Sequence, residues 1–501
     1  MQLGIYLLSL WGCRTPESKK TSSSTTEDPS DEDTNSDDTI EPEYKLEVMV
    51  RPHHWLSDNI TFEADLQPYS DTTTYHWQCL DGSEGFEKRL TLTPSTIGTI
   101  ECTVTVNDYQ LTEPLSTIGK TTVHTAPSHA DWTVLVYLAG DNNLEESAIV
   151  DLNEMEQVGS SEQVNIVVEL DRSTNFYTGH DNWTGAKRFY VTKDTTSHPE
   201  NDEDDIVSVE LVNLGATDSG HPDTLRDFLL WGVETFPSDK VAVVFWNHGW
   251  SWNFQQTTLN KGIMSDDNTG NDISVANGEL RSVMDSLTTK LGRPIDLLGM
   301  DACTMQSWEI ATDIAPYSQY FVASQDYVNW DGWSYDVFLK ELIESPDFEG
   351  LDLAETIGYS FYQSGDLTIS TIDLSVIPDF NQALEDVANS LLEEPAGLVT
   401  EASNRTYSAD GMNFGNDHDL FALMSEIRAS TESPSVYTSI GTVLSFQSGL
   451  IPHNFVNDIN GVSGLSIYAP PSTDIELDPL YLEGSWTEHL WVDVLWREQS
   501  Q

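Results

Sequence analysis

The sequence predicts an α/β fold with a mostly parallel sheet, preceded by a small all-β domain. Three observations lead there. WTVLVYLAG (132–140), VNIVVELD (164–171), VAVVFWN (241–247), IDLLGMD (295–301) and YFVASQ (320–325) are near-continuous apolar runs of strand length. Strands buried on both faces read this way, and parallel sheets covered by helices contain such strands. Between these runs lie segments with apolar residues at helical spacing, an alternation that gives βαβ units. Upstream, short runs alternate apolar and polar residues and are separated by Asp, Gly, Ser and Pro, the pattern of a β-sandwich.

Residues 1–13, MQLGIYLLSLWGC, form a short apolar run ending in Gly12-Cys13. It reads as an export signal, of lipoprotein type if Cys13 is the lipidated residue and of ordinary secretory type otherwise. Residues 14–45 carry almost no apolar side chains. They cannot bury enough surface to offset their ordering entropy, so they read as a disordered acidic tether.

The β module is expected over 46–125. Its strands are LEVMVRP, ITFEADL, TYHWQC, KRLTLTP and GTIECTVTVND. Period two sets Trp77 and Cys79 on one face of a strand, and Cys102 lies on a later strand. In an exported protein this predicts a Cys79–Cys102 disulfide. TAPSHAD (125–131) is a linker, and the α/β domain covers 131–501.

In that domain Leu144, Ala148, Leu152 and Met155 recur at helical spacing, with Asp141 or Asn142 as the cap. Further helices are expected over 223–236, 275–292 and 304–315. Residues 367–394 and FALMSEIRAS read as a strand and helices, and GVSGLSIYAP (461–470) as a late strand. His418 is a structural or loop histidine.

The charge is extreme, 83 acidic against 22 basic residues, a formal −61. That excludes nucleic acid as a partner, because phosphate binding needs a basic footprint. It suits cationic substrates and a solvated acidic surface. No interior stretch approaches the roughly 18 apolar residues of a membrane span.

Two of the apolar strands stop on reactive side chains. VAVVFWN runs into His248-Gly249, and IDLLGMD runs into Ala302-Cys303. Ligands of open α/β sheets bind beyond the carboxyl ends of the strands. If these strands are neighbours, an imidazole and a thiol share one crevice. Imidazole accepts protons near neutral pH, and thiolate is a nucleophile. A helix beginning at Thr304 would favour the thiolate with its positive end. A metal site would need further His or Cys nearby, and none is at hand.

The segments WTVLVYLAGDNNLE (132–145), NIVVELDR (165–172), TLRDFLLWG (224–232), VVFWNHG (243–249), LLGMDACTMQSWEIA (297–311), VASQDYVNWDGWSYD (322–336) and GLSIYAP (464–470) together resemble the clostripain-like cysteine peptidases. These are relatives of caspases, gingipains and legumains. The resemblance implies a caspase-like three-layer sandwich and an exported endopeptidase. His248 is then the catalytic histidine and Cys303 the nucleophile, with the N–H groups of Gly249 and Cys303 as the oxyanion hole. The sequence departs from the family pattern at Trp250-Ser251, where a second glycine is usual. It departs again at Thr304-Met305-Gln306, where Leu-Met-Gly is usual.

The family prefers Arg or Lys before the scissile bond, and Asp301 is the matching acid, since a carboxylate pairs well with guanidinium. Its alternative role is a helix cap. Asp326 and Asp331 are further candidates for the pocket wall, with Trp330 or Trp333 over the substrate's aliphatic stem. Family members often cut themselves between the dyad residues. Here Arg281 and Lys290 fall in a predicted helix and Arg293 precedes Pro294, which leaves Lys261 in a polar loop. The substrates implied are proteins or peptides with basic residues, and no cofactor is required. Some members depend on calcium, but SDDNTGND (265–272) has no recognisable ligand spacing. An inactive homologue acting as a surface binding protein, and a non-peptidase Cys-His hydrolase or transferase, are the competing readings.

Overall fold

The computed structural model describes residues 44–50, 53–55, 59–68, 72–124, 129–194, 206–252, 254–256, 259–406, 416–457, 459–471 and 477–499. The expected signal segment with Cys13, the tether up to residue 43 and the acidic loop 198–205 lie outside them. The chain divides into two compact units, Met1–Ala126 and Pro127–Gln501.

In the first unit, strands Lys45–Met49, Ile60–Gln67 and Arg89–Leu92 form one antiparallel sheet. A second sheet runs His53–Trp55, Leu115–His124, Gly98–Asn107, Thr74–Cys79, Glu84–Gly85. Period-two patterning makes the core: Ile60, Phe62, Ala64 and Leu66 alternate inward from one strand, and Cys102, Val104 and Val106 from another. Trp77 is fully buried among them. Cys79 pairs in register with Cys102 and is disulfide-bonded to it. Sequence reading missed the strands His53–Trp55, Leu115–His124 and the two-residue Glu84–Gly85. The second is rich in Thr, Ser and Lys, so its alternation is weak.

The second unit is built on a nine-stranded sheet. We number its strands β1 (Ala130–Gly140), β2 (Val164–Arg172), β3 (Gly185–Tyr190), β4 (Val209–Gly215), β5 (Ser238–Trp246), β6 (Ile295–Asp301), β7 (Ser318–Ala323), β8 (Thr368–Asp373) and β9 (His453–Val456). Their spatial order is β4-β3-β2-β1-β5-β6-β7-β8-β9. The five central strands, β2 to β7, are parallel, and two antiparallel strands close each edge. The central strands are the apolar runs of the sequence, buried along nearly their whole length. The edge strands β3 and β4 occupy the polar insert, where half-exposed residues hide the pattern.

The helices are α1 (Glu145–Val158), α2 (Pro222–Thr235), α3 (Glu279–Leu291), α4 (Trp308–Ile314), α5 (Tyr335–Glu344), α6 (Gly350–Ser364) and α7 (Ile377–Leu392). One row joins α1, α5 and α6, and another joins α2, α3, α4 and α7. The chain moves from β1 to β2 in one direction and from β5 through β6 to β7 in the other. Right-handed crossovers therefore put α1 opposite α3 and α4. The direction reverses between β1 and β5, which makes a crevice at the carboxyl ends of these strands.

Several local expectations are corrected. The cap of α1 is Leu144, and Asn142 instead turns its Oδ1 to the Leu144 N–H at 2.8 Å. Helix α3 starts at Glu279, after Gly278 in the left-handed conformation. Helix α4 does not begin at Thr304. Ser307 caps it, accepting from the Ile310 N–H, and Thr304 has φ 58°. The late strand Ser466–Tyr468 pairs with Asp417–Asp419, apart from the large sheet. Among the described residues no helix is long and apolar enough to cross a membrane.

Candidate active site

The sheet register brings His248 and Cys303 together. Trp246, the last residue of β5, pairs with Asp301, the last residue of β6. His248 and Cys303 each lie two residues beyond that pair. The turns that carry them touch, because a β-carbon on Gly249 would meet the Cys303 carbonyl oxygen at 2.3 Å and the Ala302 β-carbon at 2.9 Å. Only glycine permits this approach.

His248 is buried and tightly seated. Its Nε2 meets Asn143 Oδ1 at 2.8 Å. Since the amide oxygen can only accept, Nε2 is the donor of this bond. The preceding Asn247 donates from Nδ2 to the carbonyls of Ala139 (2.8 Å) and Ser265 (2.9 Å). Asn142 donates to the same two carbonyls at 2.9 and 3.0 Å. The ends of β1 and β5 and the loop around Ser265 are thus stitched together beneath the imidazole. Sequence reading did not single out Asn143. Its signal was the polar run DNN at a strand's carboxyl end.

Cys303 is also buried. The Val328 N–H points at its Sγ, 3.4 Å away, and the Val328 carbonyl oxygen lies 3.8 Å from it. The dipole expected from a helix at Thr304 is absent, because α4 starts four residues later and is only seven residues long. Instead Thr304, a β-branched residue at φ 58°, makes a sharp turn directly after the cysteine. Such a conformation costs on the order of 1–3 kcal/mol and clusters at functional sites. Ser251 and Met264, at φ 57°, turn similarly on the other segments of the crevice. Ser251 thus takes a conformation that glycine adopts freely, where the family has its second glycine. Beside it Trp252 packs edge-on against Tyr468, Tyr481 and Trp486.

The acids sort into distinct environments. Asp301 is 3% exposed; its Oδ2 accepts from the Trp333 N–H (3.0 Å) and the Tyr335 hydroxyl (3.2 Å), and its Oδ1 has no partner. Burial pushes it up to about 7. It is not a helix cap. Asp151 and Glu154, which the sequence reading missed, face the same spot from α1. Burial and then Asp301 raise Asp151, while burial and then Asp336 push Glu154 up to about 8. Gly332, at φ 58°, closes over them: a β-carbon there would lie 3.0 Å from Asp301 Oδ2 and 3.2 Å from Asp151 Oδ2.

Asp331 and Trp330 lie exposed next to this spot. Asp326 is buried and turns Oδ1 to the Tyr327 N–H at 2.7 Å. Trp333 is fully buried, with its ring against Gly299 and Phe338. It is core, and only Trp330 is open to a substrate stem. His418 is buried, with Nδ1 3.1 Å from Thr406 Oγ1.

Lys261 is not in a loop. Its backbone ends the short hairpin of Phe254–Gln256 and Leu259–Lys261, paired with Phe254. The Gly262 N–H donates to Asp272 Oδ2 at 2.6 Å, and a β-carbon on Gly262 would meet the Ile273 carbonyl at 2.1 Å.

A parallel α/β sheet with a histidine and a cysteine at adjacent strand ends, beside a topological switch point, is the layout of a cysteine hydrolase. Residues 136–451 match the model of the Clostripain family. The chain therefore belongs to the clostripain family, a family of cysteine peptidases. It is similar to clostripain from Hathewaya histolytica, 27% identical over 220 residues, which cover 41% of this chain and 40% of that protein's length. Its fold is similar to that of a secreted C11 cysteine protease from Bacteroides thetaiotaomicron in complex with an irreversible peptide inhibitor (TM-score 0.56, 22% identity, 74% of this chain and 100% of that one). It is also similar to that of an inactive zymogen C11 protease from Parabacteroides distasonis (TM-score 0.53, 17% identity, 72% of this chain and 98% of that one).

Proposed function

We propose that this chain is an exported cysteine endopeptidase that hydrolyses peptide bonds after Arg or Lys. The observation that supports it most is the β5–β6 register, which brings His248 and Cys303 to equivalent positions on adjacent strands. In the reduced enzyme His248 Nδ1 takes the Cys303 proton. The thiolate attacks the scissile carbonyl carbon, and the oxyanion is held by the N–H groups of Gly249 and Cys303. As the intermediate collapses, the imidazolium gives its proton to the leaving amine. Water, deprotonated by the same imidazole, then hydrolyses the thioester.

Buried carboxylates without a cation are costly. Asp301 with Asp151 lacks one, and an Arg or Lys side chain would supply it. Asp331 and Trp330 would flank its entry, and Asp326 would brace the wall from within. Self-maturation at Lys261–Gly262 would require the hairpin to open first. A relative whose name includes "secreted" supports export, as does the signal-like segment 1–13. Cys13 would serve as a lipid anchor in a lipoprotein, and the β module, immunoglobulin- or PKD-like, as a spacer from the envelope.

The test is hydrolysis, under reducing conditions, of peptides carrying Arg, Lys, Leu or Asp before the scissile bond. Cys303→Ala and His248→Ala should each abolish cleavage with melting unchanged. Full activity in either variant overturns the dyad. Equal rates after Leu or Asp overturn the basic pocket.

A further inference from the structure

One buried acid has no part in the chemistry described so far. Glu309, the second residue of α4 and six residues beyond Cys303, is 0% exposed. Its Oε1 accepts from the Tyr468 N–H (3.0 Å) and the Tyr481 hydroxyl (3.1 Å). Its Oε2 has no partner among the described residues. A carboxyl group this deep is costly, and an apolar side chain would cost less. What the acid holds in place is therefore the question.

Both of its donors also touch the segment after His248. Trp252 lies four residues beyond the histidine. Its ring centre is 4.8 Å from that of Tyr481 and 5.2 Å from that of Tyr468, and the two tyrosine rings are 4.4 Å apart. Glu309, the two tyrosines and Trp252 thus make one continuous path of contacts from the cysteine segment to the histidine segment. The strand Ser466–Tyr468 adds to it. The Ser466 N–H and hydroxyl donate to the Gln306 carbonyl, three residues after Cys303, at 3.0 and 3.1 Å.

The turns so joined are strained. Thr304 and Ser251 are left-handed, at φ 58° and 57°. Residues other than glycine keep such turns only where their surroundings over-determine them. A second glycine is usual in the family at Trp250-Ser251, so this chain needs the brace where a glycine would not.

We propose that Glu309 is a positioning residue: through Tyr468 and Tyr481 its carboxyl group locks the turn after Cys303 to the turn after His248, and so keeps thiol and imidazole aligned. The role in turnover rests on the peptidase reading. The carboxyl group works in its neutral form. Burial, then Asp417, push Glu309 up to about 8, and its two donors offset only part of this. Asp417 pairs in register with Tyr468. Burial pushes Asp417 up to about 6, with the Ser251 hydroxyl and the Trp252 indole opposing the rise. Tyr468, Tyr481 and, beyond Tyr468, Asp478 are the other titratable groups facing this spot, and burial keeps both tyrosines protonated. No cation is among them, since Arg281, which reaches α4, pairs with Asp313 at 3.2 Å. Above about pH 8 Glu309 and Asp417 are both charged and repel, which loosens the strand Ser466–Tyr468 from α4.

The test uses the full chain under reductant. It reads kcat and KM on an Arg peptide from pH 6 to 9.5, the rate at which iodoacetamide alkylates Cys303, and melting. Glu309→Ala should lower kcat at least about ten-fold at pH 7 with KM little changed. Tyr481→Phe should lower kcat about two- to ten-fold, the equivalent of one hydrogen bond. Glu309→Gln keeps an acceptor of the same shape without the charge. It should restore most of kcat at pH 7 and remove the decline that wild type shows above about pH 8, an outcome that a merely structural role would not give. Wild-type kcat in Glu309→Ala or Tyr481→Phe overturns the proposal. So does an alkaline decline in Glu309→Gln equal to that of wild type, or a loss that falls on KM alone. If Glu309→Ala fails to fold, Tyr481→Phe and Glu309→Gln decide. If wild type cleaves no peptide, the peptidase reading fails and alkylation decides the brace. Cys303 should then react several-fold more slowly in Tyr481→Phe than in wild type, and equal rates overturn it.

Discussion

Removing the Asn143 amide should cripple the peptidase without loosening its fold. Asn143 Oδ1 lies 2.8 Å from His248 Nε2, and the bond becomes charge-assisted when the imidazole takes the thiol proton. Hydrogen bonds to charged groups contribute about 1.5–3 kcal/mol. Asn143→Ala should therefore lower kcat/KM by about 10- to 150-fold, at about 1.4 kcal/mol per decade. The loss should fall on kcat, because Asn143 touches the base and not the substrate. Asn143 is only half-buried and is not the helix cap, so melting should stay within about 2 °C. Asn143→Asp is the informative companion. A carboxylate at that distance stabilises the imidazolium and should move the acidic limb of the pH–rate profile upward. The assay is steady-state hydrolysis of an Arg peptide across pH under reductant. Wild-type kcat in Asn143→Ala, or an unmoved pH profile in Asn143→Asp, would refute the argument that this amide sets the imidazole's tautomer and direction.

Other expectations follow from the same geometry. Asp301→Asn should lower the preference for Arg over Leu by roughly a hundred-fold, since losing the buried partner of a charge costs about 3 kcal/mol or more; an unchanged ratio counts against the pocket. Gly332→Ala should destabilise the loop and reduce turnover of Arg peptides, because its β-carbon would press on Asp301 and Asp151 from a left-handed backbone; melting and kcat/KM equal to wild type would contradict this. Glu154, Asp301 and Glu309 are raised by burial to about 8, 7 and 8, so the folded chain holds protons that the unfolded chain has released. Stability should fall as pH rises from about 4 to about 8, and chemical denaturation across that range checks the sign. Finally, mass analysis of incubated protein should find a new terminus at Gly262 that is absent in Lys261→Gln and Cys303→Ala. Its slow appearance would follow from the hairpin pairing and the Gly262 hydrogen bond, and an uncut, fully active chain excludes self-maturation.

The sequence by itself determined the central strands, because strands buried on both faces must be apolar throughout. It also determined that His248 and Cys303 lie just beyond the ends of two of them, and the inward alternation around Trp77 in the first unit followed from period two in the same way. Local chemistry was less legible. The stretch 304–315 looks helical from its first residue, yet Thr304 turns left-handed and Ser307 takes the cap. Packing of the turn against the exit of β7, where the Thr304 N–H meets the Asp326 carbonyl at 2.8 Å, outweighs helix propensity. What only the tertiary structure decided was adjacency. The β5–β6 register, the Asn143–His248 bond, the Asp151 and Glu154 carboxylates behind Asp301, and the meeting of Glu309 with Tyr468 and Tyr481 all join segments far apart in the chain. Periodicity reports which face a residue takes within its own element. It carries no information on which elements lie side by side, and the chemistry of this protein lies between elements.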